Sequence, residues 1–329
     1  MQSLVLTADG FQLADTPMPT VMPGDVRIEI RSVGICGTDI AIWKGDFEAE
    51  LPLVLGHEFA GVVHESSVPD ILPGTLVTAD IDISCGRCWY CRTGARHNCP
   101  NKEVLGMTRD GALSEYISVP ADILHPLPFG VDTVDATFVE PLASAIKTHQ
   151  QAPIEEDEPV LILGSGKLAL LLAQVYDAHG AVVHIVGRNR WQLGLAKQLG
   201  FQHTYDTVEN DWKSDILKAT HNVGPRVVIE ATGNTDGLSM AFDIVRNGGI
   251  IALKSMHGCL FPLDPTMIVN KELTLYGASR GPFDQAIDML SKGRIEVKKL
   301  VTKMFKLEEG TKAFEFASQP TVTKVIINI

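Results

Sequence analysis

Cys36, His57 and Glu58 set the chemistry of this chain. The cysteine lies in Gly34-Ile35-Cys36-Gly37-Thr38-Asp39, and the other two follow in Gly56-His57-Glu58. A soft thiolate, an imidazole and a carboxylate from two short stretches form a ligand set suited to zinc. Such a set leaves a position for water or substrate. Taken singly, each residue has an ordinary explanation: a satisfied polar histidine, or a cysteine acting as a small buried hydrophobe. Their joint spacing carries the reading.

A second cluster is denser. Cys85, Cys88, Cys91 and Cys99 follow the pattern CxxCxxCx7C. Two-residue gaps turn successive thiolates toward one centre, and the longer excursion brings the fourth around to close a tetrahedron. Four thiolates leave no open position, so a zinc here is structural and not catalytic. Disulfides and an iron–sulfur cluster are the alternatives, and they suit a long reduced chain with no implied electron partner less well. Cys259 has no such neighbours and reads as structural.

A third motif binds phosphate. Val160–Leu163 runs into Gly164-Ser165-Gly166-Lys167-Leu168-Ala169, and a helical pattern follows. Strand, glycine turn and helix together give GxGxxG its meaning as a dinucleotide site. Gly164 permits the turn, and Gly166 lets a pyrophosphate approach the helix N-terminus, with Lys167 and Leu168 in its first turn. The next strand, Ala181–Val186, is followed by Gly187-Arg188-Asn189-Arg190, with no carboxylate for the ribose hydroxyls. A small Gly187 with Arg188 or Arg190 suits a 2′-phosphate, so NADP(H) is expected over NAD(H). Thr232, Gly233 and Ser255 follow two further apolar strands and are expected cofactor contacts.

The elements that must position these groups fall into two sets. Residues 1 to about 125 carry short β-prone runs such as Val26–Val33 and Phe59–His64, punctuated by Gly and Pro, as in a small barrel or sandwich. Thr133–Gln150 reads as one helix. From Pro159 onward apolar strands alternate with helices, the pattern of a doubly wound parallel sheet. A chain of 329 residues is long enough for two domains. Its net charge of −12 argues against nucleic acid and anionic membrane as partners. The first residues lack a signal-peptide pattern and no apolar run is long enough for a membrane span, so a cytoplasmic protein is expected.

Together these motifs resemble the zinc-dependent medium-chain alcohol and polyol dehydrogenases. GICGTD (34–39), GHE (56–58), the four-cysteine lobe, DGALSEY (110–116), EPLA (140–143), GSGKLA (164–169) and EATG (230–233) occur in the family's order along the chain. The resemblance implies an α/β protein. A GroES-like β-rich catalytic domain would span 1–140 and 281–329, with its zinc lobe at about 84–100. A Rossmann domain would span 141–280. It implies two zinc ions per chain, one catalytic and one structural, and a homodimer or homotetramer with Leu273–Gly277 at the pairing edge.

The resemblance also implies roles. Cys36, His57 and a carboxylate would hold the catalytic zinc, the carboxylate being Glu58 or Glu140. Zinc would lower the substrate alcohol's pKa so that an alkoxide forms and hydride passes to the nicotinamide. Thr38 would bond the substrate hydroxyl and Asp39 would orient His57. Many relatives end the proton relay on a histidine two residues after this aspartate, where this chain has Ala41. Trp43, Phe47 and Met107 are candidate pocket residues, while His97, His149 and His257 read as ordinary polar groups. The substrate implied is a secondary alcohol, polyol or sugar-derived alcohol or ketone. Two other readings are a zinc-free quinone or enone reductase of the same superfamily and a non-catalytic NAD(P)-binding protein.

Overall fold

The computed structural model describes residues 1–209, 211–256 and 258–329. His257, read above as an ordinary polar residue, lies outside the described residues. The chain divides into two compact units: Met1–Glu140 with Val301–Ile329, and Pro141–Leu300.

In the first unit the strand Asp25–Gly34 is central. Its Val26, Ile28 and Ile30 point inward at period two, and all three are buried. It pairs antiparallel with Glu58–Ser66, Tyr116–Pro120 and Lys324–Asn328, and the sheet continues through Leu76–Ala79, Leu124–Pro126 and Val301–Lys306. A smaller sheet joins Gln2–Thr7 to Gly10–Asp15 and Leu53–Val54. The register sets the chemistry: Gly34 stands opposite both Glu58 and Ile326. Cys36, two residues beyond one strand, and His57, one residue before its partner, therefore emerge at the same end.

In the second unit, six strands among the described residues form a parallel sheet. Their order is His203–Asp206, Val182–Gly187, Pro159–Leu163, Val227–Glu230, Ile250–Leu253 and Thr274–Gly277. Val160–Leu163 and Val227–Ile229 are wholly buried, as strands covered on both faces must be. The helix Lys167–Asp177 packs Ala169–Tyr176 into the interior, which explains the apolar run there.

Three expectations are corrected. The single helix over 133–150 is two, Thr133–Ala136 and Val139–Gln151. A continuous helix would drive the ring of Pro141 into the carbonyl of Thr137, whereas the first turn of a new helix tolerates proline. Residues 281–300 fall with the second unit, not with the returning segment. Gln174 holds them there: its Nε2 donates to Glu296 O, and its Oε1 accepts from Glu296 N. His203–Asp206 was not foreseen as a strand, because an edge strand with mixed polar residues lacks the apolar signature.

Candidate active site

Asp39 organises the first site. It lies in the first turn of the helix Gly37–Lys44 and is fully buried. Its Oδ2 accepts from Cys36 N at 2.8 Å, and its Oδ1 accepts from Gly56 N at 3.3 Å. Both ligand-bearing stretches are thereby tied to one carboxylate. His57 Nδ1 lies 3.2 Å from the same Oδ1, close enough for an ion pair but off the line of a good hydrogen bond. Burial alone would lower the pKa of His57. The charges of Asp39 and Cys36 outweigh burial and raise it well above 6.5. The negative charge of Asp39 beside this buried imidazole also suits a metal cation. Thiolate and imidazole are soft-to-borderline donors that fit zinc. Thr38 Oγ1 lies 3.9 Å from Cys36 Sγ, on the same helix turn.

Glu58 faces a partner that sequence reasoning missed. The Nζ of Lys324, on the last strand, donates to Glu58 Oε2, and both side chains are completely buried. The ammonium also stands 5.1 Å from the ring centroid of Phe138, itself buried. The two residues are 266 positions apart, so no local pattern could pair them. Glu140 sits in the first turn of Val139–Gln151 and is half-buried. Among the described residues, Cys36, His57 and these carboxylates are not drawn into one metal-spaced group, whereas the four lobe cysteines are. Of the candidate pocket residues, Trp43 packs against Phe11 and Phe314 at centroid distances of 6.3 and 5.8 Å and serves the core there.

In the lobe, all four sulfurs lie within 4.8 Å of one another. Cys88 and Cys91 are 3.4 Å apart and Cys85 and Cys91 3.9 Å. Zinc–sulfur bonds of about 2.3 Å in a tetrahedron put sulfurs about 3.8 Å apart, so the fit is direct. All six cysteines are free thiols, which removes the disulfide alternative. The backbone amides of Arg87 and Cys88 lower the Cys85 pKa to about 6, favouring the thiolate a metal needs. Cys88 moves the other way, up to about 11. The Cys91 amide favours its thiolate, but burial and hydrogen bonds among the sulfurs outweigh that.

The second unit holds the dinucleotide turn. Gly164 has φ +122°, and a Cβ there would collide with Ala231 O. Gly166 caps the helix Lys167–Asp177, whose first residues Lys167 and Leu168 are half-buried. Beside the turn stands buried Glu230, a residue quoted in the motif but given no role above. Its Oε1 accepts from Thr232 N at 2.8 Å, Thr232 Oγ1 at 2.6 Å and Ser255 Oγ at 2.8 Å. Ser255 Oγ in turn accepts from Gly233 N at 2.7 Å. The three expected cofactor contacts are thus gathered around one carboxylate.

The ribose end changes the sequence argument. Gly187 has a packing reason of its own, since a Cβ would strike Ser165 Oγ. No carboxylate stands at 188–190 directly after Gly187, but Asp206 stands opposite Gly187 in the neighbouring strand. Arg190 Nε lies 3.3 Å from Asp206 Oδ2, and its Nη2 pairs with Glu209 Oε1. Arg188 is exposed.

With the geometry in place, comparison with known proteins identifies the class. The model for the alcohol dehydrogenase GroES-like domain matches residues 22–129, and the model for zinc-binding dehydrogenases matches residues 166–292. The chain is 32% identical to sorbitol dehydrogenase of Halalkalibacterium halodurans over 341 residues, with 99% of each chain covered. It is 30% identical to D-arabitol-phosphate dehydrogenase of Enterococcus avium, over 97% of this chain and 94% of that one. In structure it is similar to a Sinorhizobium meliloti protein assigned as a zinc-binding dehydrogenase and bound to NADP. There the TM-score is 0.93 at 29% identity, covering 100% of this chain and 99% of that one. The chain belongs to the zinc-dependent medium-chain alcohol and polyol dehydrogenases. It is an oxidoreductase that uses zinc and a nicotinamide dinucleotide. Among the described residues, no helix is long and apolar enough to cross a membrane.

Proposed function

We propose that this chain oxidises a secondary alcohol, polyol or sugar-derived alcohol, and reduces the matching ketone, with NADP(H) as the favoured cofactor and two zinc ions per chain. The observation that carries the reading is the single buried carboxylate of Asp39 joined to Cys36 N, Gly56 N and the His57 ring. It faces Nδ1 of the imidazole at 3.2 Å and leaves the other nitrogen to bind metal. Cys36 and His57 hold the catalytic zinc, with Glu58 or Glu140 as the carboxylate. Bound zinc supplies a Lewis acid that eases loss of the substrate's hydroxyl proton and polarises a carbonyl in the reverse direction.

The chain's own residues do the rest. Thr38 accepts a hydrogen bond from the substrate's hydroxyl at Oγ1, and Asp39 keeps His57 oriented. Lys324 holds Glu58 and so favours an open coordination position. Cys85, Cys88, Cys91 and Cys99 hold the structural zinc. Gly164, Gly166, Lys167 and Leu168 receive the pyrophosphate, while Thr232, Gly233 and Ser255, positioned by Glu230, line the cofactor's path. Gly187, Arg188 and Arg190 receive the adenosine ribose. The relatives named for sorbitol and arabitol phosphate support a polyhydroxylated substrate. The edge strand Thr274–Gly277 suits pairing of two copies into a homodimer or homotetramer.

A panel of polyols, sugar alcohols and simple secondary alcohols assayed with NADP⁺ and NAD⁺ tests this, alongside zinc analysis. Turnover of a polyol with about two zinc ions per chain is expected. Active protein free of zinc would favour the reductase reading. Cofactor binding without any turnover would favour the non-catalytic one.

A further inference from the structure

The tip of the strand Val182–Gly187 is where a 2′-phosphate or a bare 2′-hydroxyl would be told apart. Two carboxylates stand there that the linear sequence hides. Asp206 is the residue opposite Gly187 in the parallel register. Its Oδ1 accepts from Val208 N at 2.9 Å, which fixes the carboxylate, and its Oδ2 faces Arg190 Nε at 3.3 Å. Glu209 takes the other end of the same guanidinium. The Val208 amide, with Arg190, lowers the Asp206 pKa, so this carboxylate is ionised at neutral pH. One arginine thus answers two carboxylates beside Gly187.

We propose that Asp206 and Glu209 are specificity-determining residues: by holding Arg190 they weaken the enzyme's grip on a 2′-phosphate and narrow its preference between NADP(H) and NAD(H). This rests on the proposed role of Arg188 and Arg190 at the ribose. A phosphate monoester competes with the two carboxylates for Arg190 and is repelled by them. A 2′-hydroxyl meets no such repulsion and can donate to Asp206. The same three side chains therefore act in opposite senses on the two cofactors. Arg190 is 71% exposed at its side chain, so solvent screens the pair and the effect is modest.

The test is calorimetric binding of NADP⁺ and of NAD⁺ to the full chain, which requires no knowledge of the substrate. D206N keeps the acceptor for Val208 N while removing the charge; E209Q changes an exposed position only. Each is expected to raise the ratio of NADP⁺ to NAD⁺ affinity about two- to fivefold, E209Q through tighter NADP⁺ binding and D206N also through weaker NAD⁺ binding. R190Q is expected to lower the ratio and to abolish the gain from D206N in the double variant. A ratio that stays put or falls in both D206N and E209Q overturns the proposal. Should D206N lose stability, E209Q decides alone. The wild-type ratio is read separately: a wild type that prefers NAD⁺ sinks the NADP(H) reading, while the change on charge removal still judges the selector.

Discussion

In the first unit two cysteine-bearing regions place candidate metal ligands by different routes. The lobe gathers four sulfurs from one loop, all within 4.8 Å, and the amides of Arg87 and Cys88 favour charge on Cys85. Around Cys36, by contrast, the groups come from separate strands, and hydrogen bonds to Asp39 set them in place. One carboxylate there is occupied by a lysine. A closed tetrathiolate site needs the metal to hold its loop together, whereas an open catalytic site must keep its shape with a ligand position vacant. The second kind therefore needs a protein scaffold, and in the proposed catalytic site Asp39 with Lys324 supplies it.

The sharpest way to break this contrast is His57→Ala. Activity should fall on the order of a thousandfold or more, since transition-state stabilisation by the metal is lost. Zinc content should drop from about two to about one per chain, with the lobe intact. Loss of both ions would mean the two regions are not independent.

Lys324→Met comes next. It strands the Glu58 carboxylate in the interior, and breaking a buried pair costs about 3–5 kcal/mol. Denaturant melts should report that loss, and adding Glu58→Gln should recover much of it. A change below about 1 kcal/mol would show that the pair contributes little to the scaffold.

Asp39→Asn keeps the size but removes the charge facing His57. Outer-shell partners of this kind are typically worth about 10–100-fold in metal affinity or activity. Competition with a chelator should show faster zinc loss from the catalytic site alone. Equal loss from the lobe would erase the distinction drawn here.

The smallest effect concerns acid. His149 and His184, both in the second unit, have pKa values lowered to about 4, first by burial and then by the stacked imidazoles of His179 and His203. The unfolded chain binds protons at about 6.5, so between about 6.5 and 4 it holds more protons than the fold. Stability should fall as pH drops through that window, by roughly 2–4 °C in melting temperature for each kcal/mol lost. Partial exposure of His149 trims its share. His184→Gln should flatten the slope, and an unchanged slope would assign the acid sensitivity to metal release from the thiolates.

The β-rich first unit and the parallel sheet were legible because strands apolar at period two in the one, and continuously apolar strands alternating with helices in the other, are local signals. The lobe was legible for the same reason: its four ligands are neighbours in sequence. What escaped was long-range. Lys324 looked like any lysine on a terminal strand, and only the register of Ile326 against Gly34 brings it to Glu58. Asp206 escaped because it belongs to a polar edge strand. Glu230 was visible within its motif, but its role needs Ser255, which lies 25 positions on. The space at Gly187, read as room for a phosphate, is already claimed by Ser165.

Gly34 has one more consequence. A Cβ at this position would run into the Nζ and Cε of Lys324. The glycine that opens the Cys36 stretch therefore serves the ammonium behind the site as much as the ligands in front of it. Positions 34 and 324 are sterically coupled. An alanine at 34 should mimic a lesion at 324, and the two together should cost far less than their sum.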